Sequence, residues 1–377
     1  MRVLMTGGGT GGHVNPALAI ANTIKKNDPE AVIAYVGTKR GIESRLVEKA
    51  GYPLYYVEVK GIKRSLSPSN IKAAYLALTS PLKARSLIKE FKPDIVIGTG
   101  GYVSWPVVRA ASSMGIPTAL HESNAIAGVA VKMLQNNVDR IYLNFGKTAE
   151  TISEKNRSKL LHVGNPVMGD FSAISREQAR ARLGIPDKYE NVILTYGGSL
   201  GAEKVNDAVI EIMKRYTCRH PETLHYHATG SIEHEICMGI YKREGLDRYP
   251  NIEMTEYIYD MPLRMAAADI TVSRAGAMTV SELALSAKCA IFIPSPNVAE
   301  NHQYKNAKVL ADAGAALVYE EKELAEKPGL IAEKIEYLLS DEGRGERDSM
   351  CEKIRDFATL DANKLIYEDI LKLVKGK

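Results

Sequence analysis

Cysteine is sparse in this chain. Cys218, Cys237, Cys289 and Cys351 are scattered and never form C-x-x-C, so reduced thiols in a cytoplasmic protein are expected rather than a disulfide framework. An excess of one charge is missing too. Lys and Arg number 49 against 45 Asp and Glu, a net +4, too small to imply a nucleic-acid partner. No run approaches the roughly 20 apolar residues that span a bilayer. The chain passes straight into a short strand and a glycine turn, a start expected to leave no room for a signal-peptide h-region. There is no G-x-x-x-x-G-K-[ST] loop, which argues against P-loop nucleotide chemistry. What remains, 45% hydrophobic and 25% charged residues over 377 positions, suits an ordinary globular protein long enough for two domains. The expected workplace is inside the cell, without crossing the membrane.

Glycine, by contrast, is plentiful, and its placement organises the chain. Strands are predicted at 3–6, 32–36, 54–57, 95–97, 118–121 and 141–143, with helices at 16–26, 43–50, 71–91 and 107–114 between them. After Gly164-Asn165-Pro166 the pattern restarts, with strands at 192–196, 224–228, 252–255, 270–272, 290–293 and 316–318 and a helix near 205–215. Alternating strands and helices predict parallel sheets with helices on both faces. The expected fold class is therefore α/β: two doubly wound domains joined near residue 164, ligands at the carboxyl ends of the strands, and an active site in a cleft between the domains. A last amphipathic helix, 363–374, has no strand after it.

The first domain opens on Gly7-Gly8-Gly9-Thr10-Gly11-Gly12-His13, a turn that lets a phosphate approach backbone N–H groups. It formally fits G-x-G-x-x-G, which alone is weak and equally describes a plain Rossmann turn whose histidine merely packs. Asn15 reads as the N-cap and Pro16 as N1, which would put His13 just before the positive end of the helix, where the neutral ring is favoured. A dehydrogenase would need an acid after the second strand for the ribose. Tyr35-Val36-Gly37-Thr38 offers none, although Lys39 and Arg40 could take an NADP phosphate.

Further turns follow other strand ends. Gly98-Thr99-Gly100-Gly101-Tyr102-Val103-Ser104 is an anion site or simply a tight turn. His121-Glu122-Ser123-Asn124 offers proton-transfer and hydrogen-bonding groups, or a solvated loop. Gly197-Gly198-Ser199-Leu200-Gly201-Ala202 opens the second domain as the first turn opens the first. From Arg274 to Glu282, Thr279 and Glu282 have capping-box spacing; the competing reading is a nucleotide site in which Glu282 takes two ribose hydroxyls. From Asn297 to Asn306, amides and His302 supply the donors and acceptors that sugar hydroxyls need, or cap a helix.

His225-Tyr226-His227 puts two imidazoles on one face of a strand, but no carboxylate or cysteine pattern completes a metal site, and no metal is expected. From Lys60 to Lys92 Glu90 is the only acid. There Lys63, Arg64, Lys72, Lys83, Arg85 and Lys89 interleave with Ile71, Tyr75, Leu76, Leu78, Leu82, Leu87 and Ile88. Such a segment fits an anionic membrane face, or a core helix with solvated lysines.

Taken in order and spacing, these motifs resemble the MurG family, the peripheral-membrane N-acetylglucosaminyltransferases of peptidoglycan synthesis. The resemblance covers nearly the whole length. It is carried by the turn from Gly8 to His13 with Pro16, by Gly100 to Ser104, by His121 to Asn124, by Gly164-Asn165-Pro166, by Gly197 to Ala202, by Arg274 to Glu282, and by His302-Gln303 with Asn306. It implies a GT-B fold, two Rossmann-like doubly wound domains around a cleft. Residues 1–163 would form an acceptor and membrane-facing domain, to which a C-terminal helix of about 360–377 crosses back, and 164–359 the UDP-GlcNAc-binding domain. It also implies an inverting, metal-independent reaction without cofactor: UDP-GlcNAc gives its sugar to the C4 hydroxyl of the muramoyl sugar of lipid I, forming lipid II.

Carried over residue by residue, the resemblance puts Ser199 at phosphate or nucleotide, the Ile258 backbone at uracil, and Ala277, Met278, Thr279, Val280, Ser281 and Glu282 around the nucleotide, with Glu282 on the ribose and Arg274 near the pyrophosphate. Gln303 and Asn306 would hold the sugar, and Thr10, Gly11, Gly12 and Asn124 would complete the donor site. Gly100, Gly101 and Tyr102 would face the acceptor, with His13 as general base and Glu122 as its rival. The implied partners are UDP-GlcNAc, lipid I and an anionic membrane surface, at the cytoplasmic face of the cell membrane, with no nucleic acid and with room for other cell-wall synthesis proteins. Two departures stand out: Val167-Met168 where the family often has Arg, and Ser123 where many members have Gln. Rival readings are a UDP-GlcNAc 2-epimerase-like enzyme, an NADP-dependent oxidoreductase and a non-catalytic nucleotide-sugar-binding protein.

Overall fold

The computed structural model describes residues 1–59 and 69–376. It comprises two compact units, Met1–Met168 with Asp361–Lys377, and Gly169–Leu360. Lys60, Lys63 and Arg64 of the basic segment lie outside the described residues.

The first unit holds strands β1 (Arg2–Thr6), β2 (Val32–Gly37), β3 (Leu54–Tyr56), β4 (Ile95–Gly98), β5 (Thr118–Glu122), β6 (Arg140–Leu143) and β7 (Leu160–His162). They form one sheet in the order β3-β2-β1-β4-β5-β6-β7, parallel throughout. Successive residues of a strand point to opposite faces, and both faces here are covered. Val3, Met5, Ile33, Tyr35, Ile95 and Ile97 pack beneath the helix Gly11–Asn27. Leu4, Ala34, Val36 and Val96 pack with the helices Ser69–Phe91 and Ser104–Ser113 on the other side. Strand β7 has no counterpart in the sequence reading: three half-exposed residues at a sheet edge are too few to show a period.

The helix Ala362–Lys375 belongs to this unit. Its Ile366 and Ile370 are buried in the same layer as Val14, Leu18 and Ala21. Among them Asp369 accepts from Arg140 Nε at 2.8 Å and from the Tyr142 hydroxyl at 2.9 Å. A buried carboxylate needs such partners, and this pair ties the end of the chain to β6.

The second unit holds β8 (Asn191–Tyr196), β9 (Thr223–Ala228), β10 (Ile252–Thr255), β11 (Ile270–Ser273), β12 (Cys289–Phe292) and β13 (Ala316–Val318). Their order is β10-β9-β8-β11-β12-β13, again all parallel. Each unit is thus a Rossmann-like domain that winds outward from its first strand and returns to that strand's other side. The reversal lies between β1 and β4 in one sheet and between β8 and β11 in the other. Loops diverge at such switch points, and ligands enter there at the carboxyl ends of the strands. Among the described residues no helix is long and apolar enough to cross a membrane.

Candidate active site

The turns after β1 and β4 flank the switch point of the first unit, and hydrogen bonds stitch them together. Gly8 N–H donates to the Gly100 carbonyl at 3.3 Å, and the Tyr35 hydroxyl donates to the Gly7 carbonyl at 2.7 Å. The helix after β1 begins at Gly11, not at Pro16. Thr10 is at the N-cap, without a side-chain cap bond, and Pro16 lies inside the helix. The expected capping by Asn15 is therefore overturned: the first two helical positions are glycines, whose lack of side chain leaves the helix start open to close approach. His13 is consequently in the first helical turn, its own N–H donating back to the Thr10 carbonyl at 3.1 Å.

Two bonds fix His13 to Thr99. The Thr99 hydroxyl donates to the His13 carbonyl at 2.6 Å, and His13 Nδ1 lies 3.1 Å from the Thr99 carbonyl. A carbonyl only accepts, so Nδ1 carries the proton, and in the neutral ring the lone pair is on Nε2. The glycines after β4 make room for this arrangement. A Cβ on Gly100, at φ +108, would stand 2.5 Å from His13 Nδ1, and one on Gly101, at φ +79, would stand 2.2 Å from the Gly8 carbonyl oxygen. Tyr102, next along, is exposed.

At the end of β5 the four predicted groups separate in role. His121 is buried, donates from Nε2 to the Gly164 carbonyl at 3.0 Å and lies against Ser123 through Nδ1. Burial pushes its pKa down to about 4, so it stays neutral and structural. Glu122 is buried, which raises its pKa despite three donors. Those donors engage both oxygens: Asn124 N–H and Nδ2 each at 3.0 Å, and Gly128 N–H at 2.6 Å. Asn124 is held at the loop surface by this carboxylate. Met168, at the departure noted above, is exposed with its sulfur 3.9 Å from Asn22 Nδ2.

In the second unit the turn after β8 leaves Ser199 exposed and pairs with the turn after β9, Ser231 N–H donating to the Ser199 carbonyl at 3.2 Å. After β11 the helix Ala277–Leu285 starts with Gly276 at the N-cap and no side-chain cap bond. The capping-box reading of Thr279 and Glu282 is thereby overturned. Glu282 is instead a half-buried carboxylate whose surroundings raise its pKa to about 7 by desolvation. Beside it the Tyr196 hydroxyl is buried close to Ser273. Arg274 is anchored through Nη1, to the Ile293 carbonyl at 2.9 Å and to Glu321 at 2.7 Å.

Ile258 is buried between the exposed Tyr257 and Tyr259. Gln303 turns its carbonyl to Ser295 N–H at 2.9 Å, which leaves its amide N–H2 as the outward group. Asn306 is buried with Nδ2 3.4 Å from the Ala275 carbonyl, joining this helix to the Arg274 turn. Just before them Glu300 and Asn301 both sit at φ +53, a strained pair of the kind found where loops are held for binding.

His225 and His227 are buried and bonded to Thr195 and Thr217, with burial lowering their pKa values to about 3 and about 4. Among the described residues no cluster of His, Cys, Asp and Glu could hold a metal ion. A cavity of about 450 Å³ lined by Arg176, Asp269, Lys288 and Arg347 lies at the amino ends of β8, β11 and β12, away from all these turns. One buried group near the first turn escaped sequence reading: Glu43, on the helix Glu43–Lys49. The signal was an acid shortly after β2 with glycines at 37 and 41, not the acid at the strand end that was sought.

The glycosyltransferase family 28 N-terminal domain matches residues 3–143, and the family 28 C-terminal domain matches 192–363. A protein of Acetivibrio thermocellus is 43% identical, with 100% of this chain and 99% of that protein covered. Its name is UDP-N-acetylglucosamine–N-acetylmuramyl-(pentapeptide) pyrophosphoryl-undecaprenol N-acetylglucosamine transferase. A protein of the same name from Alkaliphilus oremlandii is 40% identical over 100% of both chains. The crystal structure of Acinetobacter baumannii MurG superimposes with a TM-score of 0.76 at 29% identity, covering 98% of this chain and 99% of that one. A UDP-GlcNAc 2-epimerase from Neisseria meningitidis shares the fold, with a TM-score of 0.67 at 15% identity and 99% and 100% covered.

Proposed function

The chain belongs to the MurG family within glycosyltransferase family 28, and on that premise we propose that it moves N-acetylglucosamine from UDP-GlcNAc to the C4 hydroxyl of the muramoyl sugar of lipid I, giving lipid II and UDP. The full-length match to transferases at 43% and 40% identity carries this reading.

In this reading the second unit holds the donor. The N–H groups of Ala277, Met278 and Thr279 open a helix toward the pyrophosphate, with Val280 and Ser281 behind them. Glu282 takes the ribose hydroxyls, Ser199 the phosphate or nucleotide, and the Ile258 backbone the uracil. Gln303 holds the sugar, and Asn306, buried against the Ala275 carbonyl, braces the helix His302–Asp312 that carries both. Arg274, anchored through Nη1 to the Ile293 carbonyl and Glu321, holds the turn and sits near the pyrophosphate. In the first unit Thr10, Gly11, Gly12, Gly100 and Gly101 present backbone to the substrates, and Tyr102 and Asn124 flank them.

The C4 hydroxyl attacks C1 of the donor sugar from the face opposite UDP. The bond from C1 to the phosphate oxygen breaks, its electron pair leaves with UDP, and the configuration inverts. His13 Nε2 takes the hydroxyl proton, because Nδ1 is committed to the Thr99 carbonyl. Glu122 accepts on both oxygens from the Asn124 and Gly128 N–H groups and holds Asn124, which favours His13 over it as the base. Charge developing on UDP is met by helix N-termini.

The enzyme works at the cytoplasmic membrane face as a peripheral protein. Supporting this are exposed Leu82, Tyr102, Val129 and Met133 in the first unit, with exposed Lys83, Arg85 and Lys89 on the helix that carries Leu82. The deciding experiment is transfer from labelled UDP-GlcNAc to a lipid I analogue. Labelled lipid product and UDP should appear in equal amounts. Epimerised UDP-sugar without acceptor would favour the epimerase reading, and binding without turnover a sugar-nucleotide-binding protein.

A further inference from the structure

We propose that Glu43 is a positioning residue of the transfer reaction: its carboxylate clamps the glycine turn after β1 and so sets where Gly11, Gly12 and His13 stand. What the turn holds rests on the functional reading above; the clamp rests on geometry alone. Glu43 is 0% exposed, and a carboxylate taken from water needs compensating donors. It has them from two separate segments. Oε1 accepts from Thr38 N–H at 3.0 Å and from the Thr38 hydroxyl at 2.7 Å, and Oε2 accepts from Gly9 N–H at 3.0 Å. Burial alone would raise its pKa, but the bonds from Thr38 and Gly9 outweigh it and hold the carboxyl below its ordinary range.

The neighbouring glycines are shaped around this one side chain. A Cβ on Gly8 or Gly41 would lie 2.7 or 2.2 Å from the carboxylate, and one on Gly37 would lie 2.7 Å from Cγ. With Gly9 N–H committed to Glu43, the anion seat of the turn shifts to the amides that open the helix at Gly11 and Gly12. In a dinucleotide-binding domain an acid after the second strand reads the ribose. Here the acid is spent on the protein's own turn, and β2 offers no second one.

The test uses Glu43→Gln in the full chain. Glutamine keeps the volume and can keep Oε1 on Thr38, but it sets an amide N–H2 against Gly9 N–H, two donors face to face. Glu43→Asp keeps the charge and is one methylene too short to reach both partners. Both variants are expected to lose roughly 10- to 100-fold in kcat/KM for the lipid I analogue, the cost of misplacing a reacting geometry. The KM for UDP-GlcNAc should change less than kcat falls, and unfolding should remain a single cooperative transition lowered by only a few degrees. Deuterium exchange should quicken in peptides covering residues 7–13 and not in those covering 191–300. Unchanged exchange at 7–13, or an equal loss in both substrates with a collapsed melting transition, overturns the proposal. If the wild type transfers nothing while Glu43→Gln still loosens 7–13, the functional reading fails and the clamp stands.

Discussion

His13 Nδ1 lies 3.1 Å from the Thr99 carbonyl, which can only accept, so the neutral ring carries its proton there and its lone pair on Nε2. His13→Ala should therefore bind UDP-GlcNAc as the wild type does and lose transfer by about 100-fold or more. Calorimetry and a transfer assay separate the two quantities, and near-normal turnover would pass the base role to another group. Glu282 makes a second prediction. Its pKa of about 7 comes from desolvation. Ribose hydroxyls donating to it favour the carboxylate. Affinity for UDP should then fall by up to about 10-fold per pH unit below 7 and level off above it. Glu282→Gln should bind more weakly and flatten that slope. Residue types were legible in the sequence: a histidine in a glycine turn and an acid at a helix start. The tautomer of His13 was not, because Thr99 is 86 positions away. The roles of His121 and Glu122 were not either, since adjacent residues with similar chemistry differ only in what surrounds them.

At the scale of elements, the helix after β1 starts five residues earlier than its best capping residues suggest. Local N-cap and proline preferences yielded there to the stitching of two glycine turns, a tertiary effect. The tail helix Ala362–Lys375 shows the opposite case. Its amphipathic pattern is plain in the sequence, and Ile366 and Ile370 are buried as that pattern requires. What the pattern hid is Asp369 on the buried face, answered by Arg140 and Tyr142. Asp369→Ala should cost about 2–4 kcal/mol in urea unfolding, since it leaves a half-buried guanidinium and a buried phenol without their acceptor. Asp369→Asn, which can still accept from one of them, should recover part of the loss. Intact stability in Asp369→Ala would show that the two isoleucines alone hold the helix.

For the whole molecule, three buried neutral histidines make stability depend on pH. His121, His225 and His227 have folded pKa values of about 4, about 3 and about 4 against an ordinary 6.5. Below 6.5 the unfolded chain binds protons that the folded chain does not. Their stabilisation is thus complete above about pH 6.5 and falls as pH drops toward 4, by up to about 1.4 kcal/mol per unit for each histidine. Calorimetric melting between pH 7 and 5 should show it, and a transition that does not move would contradict it. Membrane association is tested by vesicle sedimentation. Binding should favour anionic over neutral lipid and weaken with salt; indifference to lipid charge would remove the electrostatic part.

By itself, the sequence determined the two restarting α/β patterns and twelve of the thirteen strands among the described residues, because the alternation of apolar runs and glycine turns is local information. It also determined the family, through motifs whose order is itself sequence. The tertiary structure alone decided which of the candidate groups are available for chemistry. Gly9 meets Glu43 across 34 positions and His13 meets Thr99 across 86. Whether a carboxylate or imidazole is engaged or exposed depends on such distant partners and on burial, neither of which any local pattern encodes.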